Sequence, residues 1–550
     1  MTDQTTKEEG ASMRTVVAAS SAGTAFEWYD FFIFGSLAQV ISKTFFTGLP
    51  ETAGYIAALA LFGVGFAFRP LGALVFGKIG DQAGRKGAFL ATVLLMGGAT
   101  FAIAFLPTYQ QAGIISPILL IILRCVQGFA LGGEYGGAAI YVAEHSPNNK
   151  RGWSTSWVQT SAAFGLFGAL LVIMTTRAVV GIEAFDAWGW RIPFAVSIGL
   201  LGISVWMRMK LTESPAFAKM KEEGEASKAP YAEAFGQWKN MKLVILAFLS
   251  MMCAQGAVWY TSFFYSQTFM EKFLKVDPVT INALMMTATA VSAVFYVVFG
   301  WLSDKVGRKP VMLGGMTLAL AFYFPGFHLL ERAANPALAE ASARSPVVVI
   351  ADPADCALQF DPVGKAAFVS SCDIVKSALA NAGVSYANQK APAGTQAVMR
   401  VGTIQIDSPS AEGLSKEQTK AVKTATEGKI KAALTTAGYP AKADPARMNL
   451  LGMFGVLFVF VIAATALFGP LAACLVELFP TRVRFTALSL PYHIGTGWVG
   501  GFVPFFAFAI VAAVGNIYAG LWYPVAFTLI SVLTTLFLLP ETKGRSLDEV

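Results

Sequence analysis

The 550-residue chain is 55% hydrophobic and only 14% charged, and it contains 44 Phe and 11 Trp. With a mean hydropathy of +0.57, this composition excludes an ordinary soluble protein and predicts an integral membrane protein. The formal net charge of +7 does not call for a nucleic acid, because basic loops that face anionic lipid account for it.

Twelve apolar runs are long enough to cross a hydrocarbon core ~30 Å thick. In chain order they lie at 15–42, 54–77, 87–107, 114–143, 153–178, 189–208, 243–268, 278–302, 309–330, 448–474, 485–514 and 519–540. The pattern predicts an all-α membrane protein of twelve transmembrane helices, six in each half. The first run is too long for the apolar region of a signal peptide, so we expect it to stay attached.

These runs divide the chain into predicted segments. The first bundle occupies residues 1–208, and a cytoplasmic linker follows at 209–240. The second bundle is split into 241–330 and 448–550 by an insert at 331–447, where hydrophobicity collapses. The Lys and Arg residues of the short connections place both termini in the cytoplasm and the insert outside.

The first run carries Glu27 and Asp30 three residues apart, hence on one face of a helix. Two carboxylates this close disfavour double ionisation, which allows proton uptake. The pair is therefore the predicted proton-coupling site, since charges inside a membrane are costly and are retained for function. The alternative is that one of them pairs with an arginine and holds helices together.

The second run contains Arg69 and ends in a turn motif that is repeated in the second half. A buried arginine needs a partner, and Glu27 or Asp30 is the obvious choice for Arg69. The sequence does not decide whether Arg69 also contacts the substrate. The motif reads GKIGDQAGRK at 77–86 and GWLSDKVGRK at 300–309, which predicts two like halves.

We interpret the motif as conformational machinery rather than a substrate site. Its two aspartates can accept hydrogen bonds from the amino-terminal amides of helices or pair with an arginine. The residues concerned are Gly77, Asp81, Gly84, Arg85, Lys86, Gly300, Asp304, Gly307, Arg308 and Lys309.

The fourth run predicts a polar stripe along one helix, made of Arg124, Gln127, Glu134 and Tyr135. A guanidinium at mid-membrane could bind a carboxylate substrate through two hydrogen bonds. The alternative is a permanent bridge between Arg124 and Glu134 or an acid of the first helix.

The second half offers fewer polar groups within its apolar runs. Tyr260 could orient a small solute, although interfacial belts are the commoner reason for tyrosines in membrane proteins. His493 is a secondary proton candidate, because an imidazole titrates near neutral pH.

The insert at 331–447 predicts a small α/β module with strands at Val347–Ile350 and Ala397–Ile406 and helices at Ala366–Ala380 and Ser415–Thr436. Its cysteines, Cys356 and Cys372, would face an oxidising compartment, where a disulfide is favoured over free thiols. The aspartates of the insert lack the spacing of a calcium loop, and we find neither a metal site nor a catalytic constellation.

Several ordered stretches together resemble the major facilitator superfamily and, within it, the metabolite:proton symporters. They are FEWYDFFIFG at 26–35, FRPLGALVFGKIGDQAGRK at 68–86, RCVQGFALGGEYGGA at 124–138, WGWRIPF at 188–194, TESPAF at 212–217, ELFPTRVR at 477–484 and PETKGRSLDEV at 540–550. The resemblance implies two six-helix bundles in a bacterial-type inner membrane and transport of solutes such as 2-oxoglutarate, citrate, shikimate, proline or betaine with protons. Neither an enzymatic activity nor a cofactor is implied.

The chain departs from this pattern in two places. The insert has no counterpart in it, and the carboxy-terminal coiled coil of the osmosensing betaine and proline carriers is missing, which argues against an osmoregulator. Because Arg69 and Arg124 favour an anionic solute, we expect a proton symporter that imports a small organic acid by alternating access. The alternatives are a proline/betaine-type symporter, a proton-driven exporter and a transporter-like sensor whose insert binds an unknown partner.

Overall fold

The computed structural model describes residues 13–47, 61, 63–209, 215–224, 227–357 and 368–547. These residues are mostly helical, and they include ten helical spans that are long and apolar enough to cross a membrane. The predicted runs at 15–42 and 54–77 are not among the ten. The first of them is helical, whereas part of the second lies outside the described residues.

The described residues of the first half include six long helices. They are α1 (Met13–Ser36), α2 (Arg69–Ala83), α3 (Arg85–Ile103), α4 (Ile115–His145), α5 (Arg151–Val180) and α6 (Arg191–Met209). Short helices lie at Ala38–Phe45, Tyr109–Ala112, Ile182–Ala184 and Pro215–Glu222.

The second half begins with a span that is interrupted twice by π-helical turns. Its pieces are α7 (Trp238–Ala247), α8 (Cys253–Tyr260) and α9 (Ser266–Lys272), with the π turns at Phe248–Met252 and Thr261–Tyr265. Two unbroken helices follow, α10 (Pro278–Val306) and α11 (Arg308–Ala334).

The segment after α11 forms a small α/β module. Its elements are the helix Pro336–Arg344, β1 (Val347–Ala351), α12 (Ser371–Ala382), β2 (Tyr386–Lys390), β3 (Val398–Val401), β4 (Ile404–Asp407) and α13 (Lys416–Thr436). The sheet order is β2-β1-β3-β4, with β1 parallel to β2 and antiparallel to β3.

Three details of the module differ from the prediction. The single strand expected over Ala397–Ile406 is a hairpin of β3 and β4, because Gly402 adopts a φ of +57° and turns the chain. The strand β2 was not predicted, since its residues after Tyr386 are exposed and mostly polar and give no alternating pattern. The helix expected from Ala366 starts at Ser371, where Ser370 caps it.

The chain returns to long helices after the module. They are α14 (Leu450–Phe468), α15 (Leu471–Leu478), α16 (Arg484–His493), α17 (Val503–Val514) and α18 (Trp522–Phe537), with a π-helical segment at Ile494–Gly500. The two halves pack against each other mainly along α5 with α10 and along α2 with α16. Close approach needs small residues, and a Cβ on Gly300 would lie only 2.4 Å from that of Ser156.

The module rests on two connections of the second half, between α9 and α10 and between α17 and α18. The amide of Tyr386 donates to the carbonyl of Gly515 at 2.7 Å, and the amide of Ala443 donates to that of Lys275 at 3.1 Å. Ser385 accepts from the amide of Ile517 at 3.1 Å. Backbone hydrogen bonds at both sites fix the module to the helix ends that lie opposite the turn motifs.

In the structure a disulfide joins Cys356 and Cys372, whose Cα atoms are 5.1 Å apart. We expect the double variant Cys356→Ser/Cys372→Ser to lower the free energy of unfolding of the module by about 2–4 kcal/mol, because the open chain regains loop entropy when it unfolds. Limited proteolysis of the full-length protein within α13 measures this loss. The variant Cys125→Ser, which removes a free cysteine elsewhere, is the control. Equal cleavage of both variants would contradict the prediction.

Candidate functional site

The aspartates of the two turn motifs each bind a helix start in the opposite half. Asp304 accepts hydrogen bonds from the amides of Gly152 at 2.9 Å and Trp153 at 2.7 Å, in the first turn of α5. Asp81 accepts from the amides of Phe485 at 3.3 Å and Thr486 at 2.9 Å, in the first turn of α16. A carboxylate is favourable there because amide groups and the helix dipole make a helix start electropositive. We name this set of contacts, with the ion pairs below, the latch.

Buried ion pairs connect the halves beside these caps. Glu477 binds Arg151 at 2.9 Å and Arg308 at 3.1 Å, and Arg308 also binds Asp304 at 2.6 Å. The corresponding pair on the other side is Arg484 with Glu144, at 2.8 Å.

The remaining motif residues explain why the turn sequence repeats. Gly84 and Gly307 have φ values of +116° and +113°, a conformation that side chains with a Cβ rarely adopt. The amine of Lys86 donates to the carbonyl of Met209 at 3.0 Å, and that of Lys309 donates to Leu536 at 2.9 Å. The side chain of Arg85 lies outside the described part of the chain.

The acids of α1 do not contact Arg69, which corrects the partner expected from the sequence. Glu27 lies 2.7 Å from Arg208, and Asp30 forms no ion pair with a described residue. Asp30 is buried beside the hydroxyl of Thr100. The two carboxylates therefore have different surroundings although they are one helical turn apart.

The structure also corrects the ion-pair partner that the sequence suggested for Glu134. The same Nη2 atom of Arg208 that faces Glu27 lies 2.6 Å from Glu134, so Glu134 is an ion-pair residue within the first half. None of the ion pairs among the described residues joins Glu134 to Arg124, the bridge that the sequence allowed. The sequence pattern gave no signal for this role of Arg208, because the residue stands at the end of an apolar run.

Arg124 and Gln127 lie farther along α4, and both are buried. Arg124 donates to the side-chain oxygen of Gln127 at 3.0 Å, and Gln127 donates to Thr100 at 2.7 Å. The guanidinium of Arg124 also covers the ring of Phe34 at 4.0 Å. These contacts bring Arg124 and Gln127 to the neighbourhood of Asp30 through the shared Thr100.

Arg69 occupies the interface between the halves. It is 1% exposed, and its Nε and Nη2 atoms have no hydrogen-bond partner among the described residues. Its guanidinium lies 4.2 Å from the ring of Phe66 and 4.6 Å from that of Phe31. Its polar neighbours in the second half are the hydroxyls of Tyr260 and Tyr492.

Aromatic rings close the interface around Arg69. Tyr135 stacks on Tyr492 with 3.6 Å between ring centroids, which joins α4 to α16. On α1, Trp28 lies 6.4 Å from Trp259 of the second half, and Phe66 meets Tyr260 at 5.4 Å. Tyr260 and Tyr135 are thus both inside the protein and not in an interfacial belt.

His493 lies beside Arg69 and Tyr492. It is buried, and neither ring nitrogen has a hydrogen-bond partner in the described residues. Within the same residues, no group of three or more His, Cys, Asp or Glu side chains could hold a metal ion.

Most of this chain matches known families of transporters. The model described as sugar (and other) transporter matches residues 15–233 and 429–550, and the model described as MFS/sugar transport protein matches 137–349. The chain belongs to the sugar (and other) transporter family. It is therefore a membrane transporter of the major facilitator superfamily rather than an enzyme.

Curated relatives of this chain are transporters of small metabolites, and one of them is named a proton symporter. The proline/betaine transporter of Salmonella typhimurium is 35% identical over 60% of this chain and 67% of its own length. The shikimate transporter of Escherichia coli is 36% identical over 58% and 73%. The citrate-proton symporter of Klebsiella pneumoniae is 33% identical over 59% and 72%. The predicted branch, that of proton symporters for small metabolites, is confirmed.

Solved structures agree on the fold. The proton:xylose symporter XylE bound to 6-bromo-6-deoxy-D-glucose superposes with a TM-score of 0.63 at 16% identity, covering 98% of both chains. At this identity the match establishes the fold alone. The substrate has to be inferred from the residues of the site.

Proposed function

We propose that this transporter imports a small organic acid together with protons across the bacterial inner membrane. The observation that carries the proposal is Arg69, a fully buried guanidinium between the halves with two donors that no described residue satisfies. An unsatisfied buried cation is costly. A carboxylate bound through two hydrogen bonds would remove that cost, and a guanidinium matches its planar geometry.

The depth of Arg69 supports a central site. It lies eight residues before Gly77, where the turn motif starts, which corresponds to roughly 12 Å at 1.5 Å per residue. That depth is close to the middle of a hydrocarbon core ~30 Å thick. Tyr260 and Tyr135 would contact the remainder of the solute, and Arg124 with Gln127 would form the wall of the site near Asp30.

The proposed architecture has twelve transmembrane helices in two six-helix bundles with both termini and the latch in the cytoplasm. The module at 331–447 would then lie outside, on the second bundle. In this orientation the described conformation is closed toward the cytoplasm, because the ion pairs of the latch join the bundles at that end. Import would require these pairs to separate while contacts at the outer end form.

A betaine or proline is the second candidate substrate. The proline/betaine transporter from Salmonella typhimurium is 35% identical to this chain. A zwitterion would use the same guanidinium for its carboxylate, and its cationic group would meet the ring faces of Trp28 and Trp259, which lie 6.4 Å apart.

Reconstituted vesicles with an imposed pH gradient separate these candidates. We expect concentrative uptake of one labelled organic acid and its loss when a protonophore collapses the gradient. Uptake of betaine or proline alone would favour the second candidate. Concentrative uptake that persists without any pH gradient or membrane potential would contradict proton symport.

The contacts of the latch lead to a separate prediction about the maximum transport rate. Asp304→Asn should lower the maximum transport rate about tenfold or more with little change in substrate affinity. The reason is that charge-assisted hydrogen bonds contribute about 1.5–3 kcal/mol, and a shift of 1.4 kcal/mol changes an equilibrium tenfold. Initial rates over a range of substrate concentrations measure both quantities.

The control is Lys305→Gln, which removes the charge of an exposed side chain at the position next to Asp304. A maximum rate of Asp304→Asn within twofold of that control would exclude Asp304 from the conformational cycle.

A further inference from the structure

Three buried ionic side chains in the first half contact neither the interface around Arg69 nor the latch. Arg208 stands between two acids, with its Nη2 atom 2.7 Å from Glu27 and 2.6 Å from Glu134. None of the three is more than 3% exposed. We name this cluster the triad.

The charges of the triad do not balance. Two ionised carboxylates and one guanidinium carry a net charge of −1, and an uncompensated charge inside a membrane protein is costly. Apart from Arg208, the polar groups of the described residues that face Glu134 from neighbouring helices are neutral hydroxyls, Thr24 at 3.4 Å and Thr92 at 3.5 Å. A proton on one carboxylate would neutralise the cluster. Two acids that share one cation bind such a proton as a coupled pair.

The triad also lies next to the turn motif of the first half. Arg208 is the penultimate residue of α6, and the following carbonyl, that of Met209, accepts from Lys86. Arg208 itself donates to the carbonyl of Phe89 at 3.1 Å and covers its ring at 3.6 Å. Asp30 lies one turn farther along α1 from Glu27, away from this end. A proton that moves from Asp30 to the triad would thus approach the latch.

We propose that Glu27 and Glu134 form a second proton-binding site, positioned by Arg208, from which the proton of the transport cycle leaves the protein at the latch end. The inference rests on the proposed proton symport. In this step a carboxylate oxygen of the triad gains the proton that Asp30 loses, so Asp30 returns to its ionised form. Release to water then restores the net charge of the triad. Arg208 is a positioning residue and does not itself exchange the proton.

The test uses Glu134→Gln in the full-length protein in vesicles, with proton movement and substrate exchange measured separately. We expect substrate-driven proton uptake to fall at least tenfold while counterflow exchange of substrate stays within about threefold of wild type. Glu134→Asp, which keeps a carboxylate, should retain proton movement. Glu183→Gln, the same change at an exposed site, is the matched control. Glu27→Gln provides an independent variant with the same expected pattern.

The outcomes distinguish the triad from the symport itself. If wild type moves protons with substrate and both Glu134→Gln and Glu27→Gln do so at the same ratio, the triad does not carry protons. If both variants lose counterflow and proton movement in equal measure, the triad is only a structural contact and the inference is wrong. If wild type transports substrate without any proton movement, the proposed symport fails, and the role of the triad fails with it.

Discussion

Replacing Arg69 with lysine should lower uptake of the organic acid about 100-fold at subsaturating substrate. Lysine keeps the positive charge but cannot present the two parallel donors of a guanidinium to a carboxylate. The loss corresponds to about 3 kcal/mol, within the range of a pair of charge-assisted hydrogen bonds. Initial uptake rates in vesicles, corrected for the amount of protein inserted, measure the effect.

Two other arginines serve as comparisons for this experiment. Arg177 covers the ring of Phe185 at 4.7 Å and is exposed, so Arg177→Lys should leave uptake unchanged. Arg124→Lys tests the second guanidinium near the site, which we expect to weaken uptake less because Arg124 already bonds Gln127. A large loss with Arg124→Lys and none with Arg69→Lys would move the carboxylate site to Arg124.

Asp30→Asn should abolish accumulation against a gradient while exchange of substrate across the membrane continues. Asp30 is buried without an ion-pair partner among the described residues, so its carboxylate can take up a proton that a salt bridge would otherwise exclude. Each proton that moves down a potential of 100 mV yields about 2.3 kcal/mol. That energy supports accumulation of roughly fiftyfold, and the variant should fall to equal concentrations on both sides.

The measurement is the steady-state ratio of substrate inside and outside vesicles, with counterflow measured on the same preparation. Asp186→Asn, an exposed aspartate between α5 and α6, controls for the substitution. A wild-type accumulation ratio in Asp30→Asn would show that proton coupling resides elsewhere, with His493 and the triad as the remaining candidates.

Much of the architecture was predictable because a membrane imposes strong constraints on sequence. Apolar runs must be long enough to cross the core, and ten such helices are present in the described residues. The repeated turn motif predicted two like halves and a role for Asp81 and Asp304 at helix starts. Both aspartates occupy such positions, because glycine, aspartate and arginine at these spacings build a local turn whose geometry depends on few distant residues.

The partners of buried charges were less predictable. The sequence suggested Glu27 or Asp30 as the ion-pair partner of Arg69. In the structure Glu27 pairs with Arg208, and Arg69 lies between the halves. The sequence also gave no indication that Glu134 pairs with Arg208, which lies 2.6 Å away. Helical periodicity orients a side chain around its own helix, but it does not specify which neighbouring helix that face meets.

The sequence by itself thus determined the membrane class, the family and the repeated turn motif. These features depend on apolar length, local turn chemistry and short motifs. Only the tertiary structure decided which ionic groups share a cluster, because α1, α4 and α6 must pack together before Glu27, Glu134 and Arg208 can meet. The same packing leaves the Nε and Nη2 atoms of Arg69 without a hydrogen-bond partner among the described residues, and this is what makes Arg69 the proposed binding group for the substrate.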